Sequence, residues 1–414
     1  MAAGATHTAA GLPSLPIAPR GGAGAGPYIP SLDGLRALAF LLVFLAHSSV
    51  IKWMLHIPAS VGEWGVSIFF LLSGYLITTL LRLEAEAGGG ISLRHFYLRR
   101  VLRIFPPMYL CILLGLALVL LGVFPRDFSA WSVAAQCLHL HNYYVIFHCW
   151  HAPSVPIALL AGTKVLWSLA VEEHFYLVFP LAYILLRRHA PGAKRQAGLL
   201  LCVCGAALLW RLILVYGLHP SSHFRIDYAS DTRLDSILFG CVLAIGCNPV
   251  LDRAGPSTPK LAGLGILALV GLLIMNRFSG VWASCRFTAE ALLILPLFIA
   301  AIRYHDRGVF RLLNLQPVRF LGVLSYSLYL FHNQVQSAIA ALSKRSAWHI
   351  GLLAQDVAAL ALSIVVAAAV HYAVERPCAK LRKRLASPSR RGPSLRYHPV
   401  PAGTQTAAPA RVAA

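Results

Sequence analysis

YIPSLDGLRALAFLLVFLAH, residues 28–47, decides the fold class. After Arg36 the chain runs from Ala37 to Ile51 without a formal charge, interrupted only by His47 and two serines. A bilayer span needs about 20 predominantly apolar residues, and this run fits one that is retained, not a signal that is removed. The 27 residues before it are dominated by Ala, Gly, Pro and Thr, with Arg20 as their sole formal charge. They hold no apolar core of the signal-peptide kind and read as a disordered tail.

The rest of the chain repeats the pattern. Of 414 residues, 58% are hydrophobic and 12% charged, with a mean hydropathy of +0.68. Soluble domains carry about 25% charged residues. Ten stretches satisfy the span criterion: 35–54, 65–83, 104–123, 165–186, 197–217, 233–248, 260–276, 286–303, 319–341 and 351–373. The expected fold is an all-α integral membrane protein of about ten transmembrane helices.

Loop charge orients it. Arg94, Arg99, Arg100 and Arg103 follow the second stretch, Arg187, Arg188, Lys194 and Arg195 the fourth, and Arg253 and Lys260 the sixth. Arg303, Arg307, Arg311 and Arg319 follow the eighth, and Arg376, Lys380, Arg382, Lys383 and Arg384 the tenth. The loops between are sparse in cations or balanced by acids, as with Arg225, Asp227, Asp231 and Arg233. Cations in every second loop place both termini in the cytoplasm. The net charge of +21 arises largely from such ends, with nine Lys or Arg and no acid in 376–414, so it does not indicate nucleic acid. The expected divisions are a tail at 1–27, a membrane domain at 28–377 and a basic disordered tail at 378–414. The external connection at 124–164, with Trp131, Trp150, Tyr143 and Tyr144, is expected along the outer surface and partly helical.

Ionisable groups inside spans cost about 2.5–3.5 kcal/mol each on insertion scales, so function is their default reading. His47 stands eleven residues after Arg36, about 16 Å along a helix, deep enough to serve a hydroxyl as general base. A packing histidine is the plainer reading of the same spacing. Glu172 and Glu173 sit in LWSLAVEEHFY, about 100° apart on a helix, so one of them could orient an imidazole from another span. A structural salt bridge competes with that role. Tyr329 and His332 share a helix face, at a depth like that of His47. Arg100 and Arg103 lie on one face at the cytoplasmic surface, where guanidinium groups hold phosphates or simply anchor the helix.

Two further patterns carry less. His139, His141, His148 and His151 with Cys149 match no standard zinc spacing, so no metal is expected. The nine cysteines contain no CxxC; several lie in apolar runs, and Cys137 and Cys149 share one external loop where a disulfide is open.

In this order on these spans, several elements together resemble the acyltransferase family 3 membrane proteins. They are the opening 28–47, GVSIFFLLSGYLIT at 65–78, FYLRRVLRIFPPMY at 96–109 and LWSLAVEEHFYLVFP at 166–180. RLDSILFGC at 233–241, FLGVLSYSLYLFH at 320–332 and VERP at 374–377 complete the set. The resemblance covers about 28–377. It implies transfer of an acyl group, usually acetyl, from cytoplasmic acyl-CoA to a hydroxyl, often of a sugar in a cell-surface glycan. No bound cofactor is implied, and the setting is a bacterial inner membrane. It implies His47 as catalytic within the motif begun by Arg36, with Asp33 beside it on the substrate side. Arg100 and Arg103 would hold the acyl-CoA, Glu172 or Glu173 fills the acidic position, and Tyr329 and His332 the late one. Some members carry an additional esterase-like domain, for which this sequence has no room. The catalytic expectation is His47 as base, oriented by Glu172 or Glu173. A proton-coupled transporter also suits intramembrane His and Glu and predicts no dependence on acyl-CoA. A non-catalytic assembly component predicts that His47→Ala is silent.

Overall fold

The computed structural model describes residues 30–48, 54, 60–87, 90–151, 157–218, 223–252, 258–275, 282–345 and 351–385. Helices are the sole regular element among them. The first three are α1 Pro30–His47, α2 Ser60–Glu86 and α3 Leu93–Leu120. The connection at 124–164, expected along the outer surface, forms two short helices, α4 Ala130–Cys137 and α5 His141–His151. Then come α6 Leu166–His189, α7 Ala193–Ile213, α8 Phe224–Tyr228 and α9 Ser230–Gly246. The chain continues with α10 Thr258–Met275, α11 Trp282–Arg303, α12 Gln316–Arg345, α13 Leu352–Val370 and α14 Arg376–Leu385.

Each of the ten expected spans falls on a helix, although residues 49–53 of the first lie outside the described residues. Among the described residues, six helical stretches are long and apolar enough to cross a membrane: Val61–Glu86, Leu93–Leu120, Leu166–His189, Ala193–Leu218, Ser284–Arg303 and Leu352–Leu385. Prolines fall inside α3, α6 and α11. A bundle tolerates them because neighbouring helices and side chains satisfy the freed backbone groups.

The basic C-terminal segment departs from expectation. Residues 376–385 form α14, following α13 through a π-helical turn at His371–Glu375. Extending an existing helix avoids the nucleation penalty that disfavours a free one, so charge density alone did not make this segment disordered. The expected tails 1–27 and 386–414 lie outside the described residues. Cys137 and Cys149 are both free thiols.

The bundle is organised around α1, which packs on α2 and α12, and α9, which packs on α2 and α7. Small residues set these crossings, as in other membrane bundles, where they let backbones approach closely. A Cβ on Gly322 of α12 would collide with the Asp33 carbonyl of α1, and one on Gly240 of α9 with the Leu71 carbonyl of α2. Phe40 and Phe44 of α1 bury against Leu324 and Leu328 of α12. Side chains on α1 and α12 are thereby held at matching depth.

Candidate active site

α1 carries candidate chemistry at both ends. Within its first two turns, Arg36 Nη1 pairs with Asp33 Oδ1 at 3.2 Å. Arg36 also interacts electrostatically with Arg103 of α3 and Tyr176 of α6. Arg100, one turn before Arg103, places its guanidinium over the rings of Phe96 at 5.5 Å and Tyr176 at 5.2 Å. Arg382 of α14 adds its charge to that of Arg99 and Arg103. Five arginines from three helices thus share this end, and one of them, Arg382, looks in the sequence like any other residue of a basic tail.

The adjacent carboxylates of α6 divide as their 100° offset requires. Glu172 accepts from Ser73 Oγ of α2 at 2.9 Å and from Tyr176 Oη at 3.0 Å, and Tyr176 and Ser73 are themselves 3.0 Å apart. Glu173 bears electrostatically on Arg100 and leaves Oε1 buried without a hydrogen-bond partner. Both carboxylates therefore belong to the arginine end. Neither bonds an imidazole, which corrects the expectation that one of them orients His47.

The orienting group is local. His47, at the last position of α1, is 2.8 Å through Nδ1 from the Val43 carbonyl, one turn back. A carbonyl only accepts, so Nδ1 carries the proton and Nε2 is the basic nitrogen. His332 of α12 repeats the device, with Nδ1 2.8 Å from the Tyr329 carbonyl and 3.2 Å from that of Leu328. Its Nε2 is buried with no hydrogen-bond partner. The two imidazoles lie 5.2 Å apart, ring centre to ring centre, inclined by 62°. Phe40 and Phe44 line His332 at 5.8 and 6.3 Å, and Tyr329 stands 5.9 Å away. The Tyr329 hydroxyl is fixed on α6 by Ser168 Oγ at 2.5 Å.

A cavity of about 70 Å³ opens beside His47, lined also by Gln336 and Ala340 of α12 and by Leu352, Gln355 and Asp356 of α13. Ile339 and Ala359 complete the lining, so four polar side chains, His47, Gln336, Gln355 and Asp356, share it with four apolar ones. Ser48 Oγ donates to Asp356 at 2.5 Å on its rim.

The histidine-rich outer connection takes another course. Burial pushes the His139 imidazole down to about 4, helped by the nearby His174, and burial pushes His141 down to about 4 as well. His139 packs on Phe105, 4.9 Å between ring centres, and takes a positive φ of 57°. Among the described residues, no three His, Cys, Asp or Glu side chains gather as a metal would need.

Comparison with known proteins adds the family. The profile of the acyltransferase-domain family 3 matches residues 29–372. A peptidoglycan O-acetyltransferase of Listeria monocytogenes is 32% identical over 324 residues, 74% of this chain and 49% of that protein. An O-acetyltransferase of Staphylococcus aureus is 31% identical over 314 residues, 74% of this chain and 50% of that protein. A putative peptidoglycan O-acetyltransferase of Bacillus subtilis is 31% identical over 349 residues, 78% and 52%. The chain therefore spans about half the length of these curated relatives. No solved structure matches. With the profile match running from α1 to the turn after α13 and three relatives above 30% identity, the chain belongs to the acyltransferase family 3 membrane proteins.

Proposed function

We propose that this protein is a membrane O-acyltransferase that moves an acetyl group from cytoplasmic acyl-CoA to a hydroxyl of a cell-surface glycan. The observation that carries the reading is the imidazole pair. His47 and His332 each commit Nδ1 to a backbone carbonyl, so Nε2 is the basic nitrogen of each, and His47 lines a cavity that it shares with Gln336, Gln355 and Asp356. The relatives are named for O-acetylation, two of them of peptidoglycan, which supports a glycan acceptor.

In this reading all ten long helices cross the inner membrane of a bacterium, with both termini in the cytoplasm. Arg36, Arg100, Arg103 and Arg382 then face the cytoplasmic side and hold the phosphates of acyl-CoA. His47, at the other end of α1, meets the acceptor. The acceptor hydroxyl gives its proton to His47 Nε2 as its oxygen attacks the thioester carbonyl. The C–S bond breaks, and the imidazolium returns the proton to the leaving thiolate. Alcohol and thioester become ester and thiol, and His47 is regenerated. His332 is a positioning residue whose ring, 5.2 Å from that of His47 between centres, packs against the imidazole.

Radiolabelled acetyl-CoA given to membranes with wild type or His47→Ala tests this reading. Label is expected in the glycan fraction with wild type, falling by at least 100-fold in the variant. Equal label would remove His47 from the chemistry. No label from wild type, with acceptor present and other acyl-CoAs tried, would favour a proton-coupled transporter.

A further inference from the structure

Arg233 lies in the second turn of α9 and is 1% exposed. Its guanidinium is 3.5 Å from the ring centre of Phe287, 5.4 Å from that of Phe70 and 5.6 Å from that of Trp167. Three aromatic side chains thus surround the charged group. Its edge is another matter: Nε and Nη2 are buried and have no hydrogen-bond partner. These two nitrogens present parallel N–H donors, the fork with which arginine grips two neighbouring oxygens. Leaving such donors unmet is costly, the more so for a charged group, and buried polar atoms almost always find partners.

An acceptor is orphaned in the same cluster. Glu290 of α11, fully buried, takes a bond from Ser67 Oγ through Oε2 at 2.7 Å. Its Oε1 is 3.9 Å from Arg286 Nε, beyond hydrogen-bond reach, and has no other partner. Arg286 Nε is itself without a hydrogen-bond partner. Arg233 and Glu290 interact electrostatically, yet their free atoms do not bond each other. Above this floor is a more open rim: Glu63, Asp227 and Arg286 are 32%, 22% and 22% exposed, with Arg286 2.7 Å from Glu63 and 3.0 Å from Asp227.

Charge decides the class of ligand. Arg233 and Arg286 face three carboxylates, Glu63, Asp227 and Glu290, so an anion would enter a cluster already in negative excess. A neutral molecule with neighbouring hydroxyls meets the orphans of both buried side chains: its oxygens accept from the Arg233 fork, and its O–H groups donate to Glu290. The site also adjoins the histidines, because Arg233 acts electrostatically on Tyr329 and Trp167 precedes Ser168, which bonds Tyr329.

We infer that Arg233 and Glu290 form a subsite for an uncharged sugar residue, which, if the acyltransferase reading holds, belongs to the acceptor glycan.

The test is a saturation-transfer NMR titration of the full chain in nanodiscs, without acyl donor, using the neutral β-1,4-linked disaccharide of N-acetylglucosamine as probe. Wild type is expected to bind it, and Arg233→Met and Glu290→Gln each to raise the Kd at least tenfold while far-UV circular dichroism stays that of wild type. A disaccharide whose second ring carries a carboxylate is expected to bind more weakly than the neutral one. Absence of binding by wild type, or wild-type Kd values in a folded Glu290→Gln variant, would overturn the inference and leave the cluster as a hydrated structural element. Because no donor is present, the result is independent of whether label moves from acetyl-CoA. Binding without transfer would sink the proposed reaction alone, and transfer with Kd unchanged in Glu290→Gln would sink the subsite alone.

Discussion

Arg211 and Arg233 are both buried arginines of the same part of the bundle, and they are treated in opposite ways. Arg211 of α7 forms a two-pronged pair with Asp235 at 2.9 and 2.7 Å, donates to the Ser284 carbonyl at 2.8 Å, and also meets Thr232 and Thr288. Arg233, two residues from Asp235, has aromatic rings around it and a donor edge that no protein group fills. The first guanidinium ties α7, α9 and α11 together. The second carries an unmet desolvation cost, which proteins tolerate where a ligand repays it.

The largest expected effect comes from cutting the satisfied arginine. Arg211→Met strands the Asp235 carboxylate in the interior and should cost about 3–5 kcal/mol, as broken buried pairs do; thermal unfolding in detergent would show it, or a failure to accumulate in membranes. An undisturbed midpoint would erase the distinction between the two arginines. Asp235→Asn should fall short of that, because the carboxamide keeps one acceptor for Arg211 while losing the charge.

Acid separates both clusters from the outer histidines. His139 and His141 titrate near 4 in the folded protein against an ordinary 6.5. Between those values the unfolded chain binds protons that the folded one refuses, so stability falls as pH drops from 6.5 towards 4. The unfolding midpoint should decline over that window, and His141→Gln should flatten the decline.

The smallest effect is the most telling. Arg233→Met removes an unpaired buried charge and gives up cation–π contact worth about 2 kcal/mol or less, while relieving desolvation of similar or greater size. Its unfolding midpoint should lie within a few degrees of wild type or above it. A collapse like that of Arg211→Met would make Arg233 structural.

These two arginines also show what the sequence does and does not disclose. Helices follow from hydropathy, because apolar length is a local property, and all ten expected stretches are helical where described. The eleven-residue step from Arg36 to His47 places them at opposite ends of one helix, and the common depth of His47 and His332 is legible from their distances to the basic loops. Pairing between helices is not local. Glu172 faces Ser73, not an imidazole, and no periodicity announces it. Arg233 reads as one charge among the balanced acids of a loop, and Arg382 as part of a basic tail. The packing of α9 among α2, α6 and α11, and the contact of α14 with α3, give them neighbours.

The backbone contact between Gly322 and Asp33 sets where movement is possible. With no side chain to act as a spacer there, α1 and α12 touch backbone to backbone within their first two turns, and a tilt of one helix against the other would pivot on that contact. His47 stands 14 residues beyond Asp33, about 21 Å along the axis. A tilt of about 5° would therefore carry it roughly 2 Å while hardly displacing Arg36, by the same rise per residue.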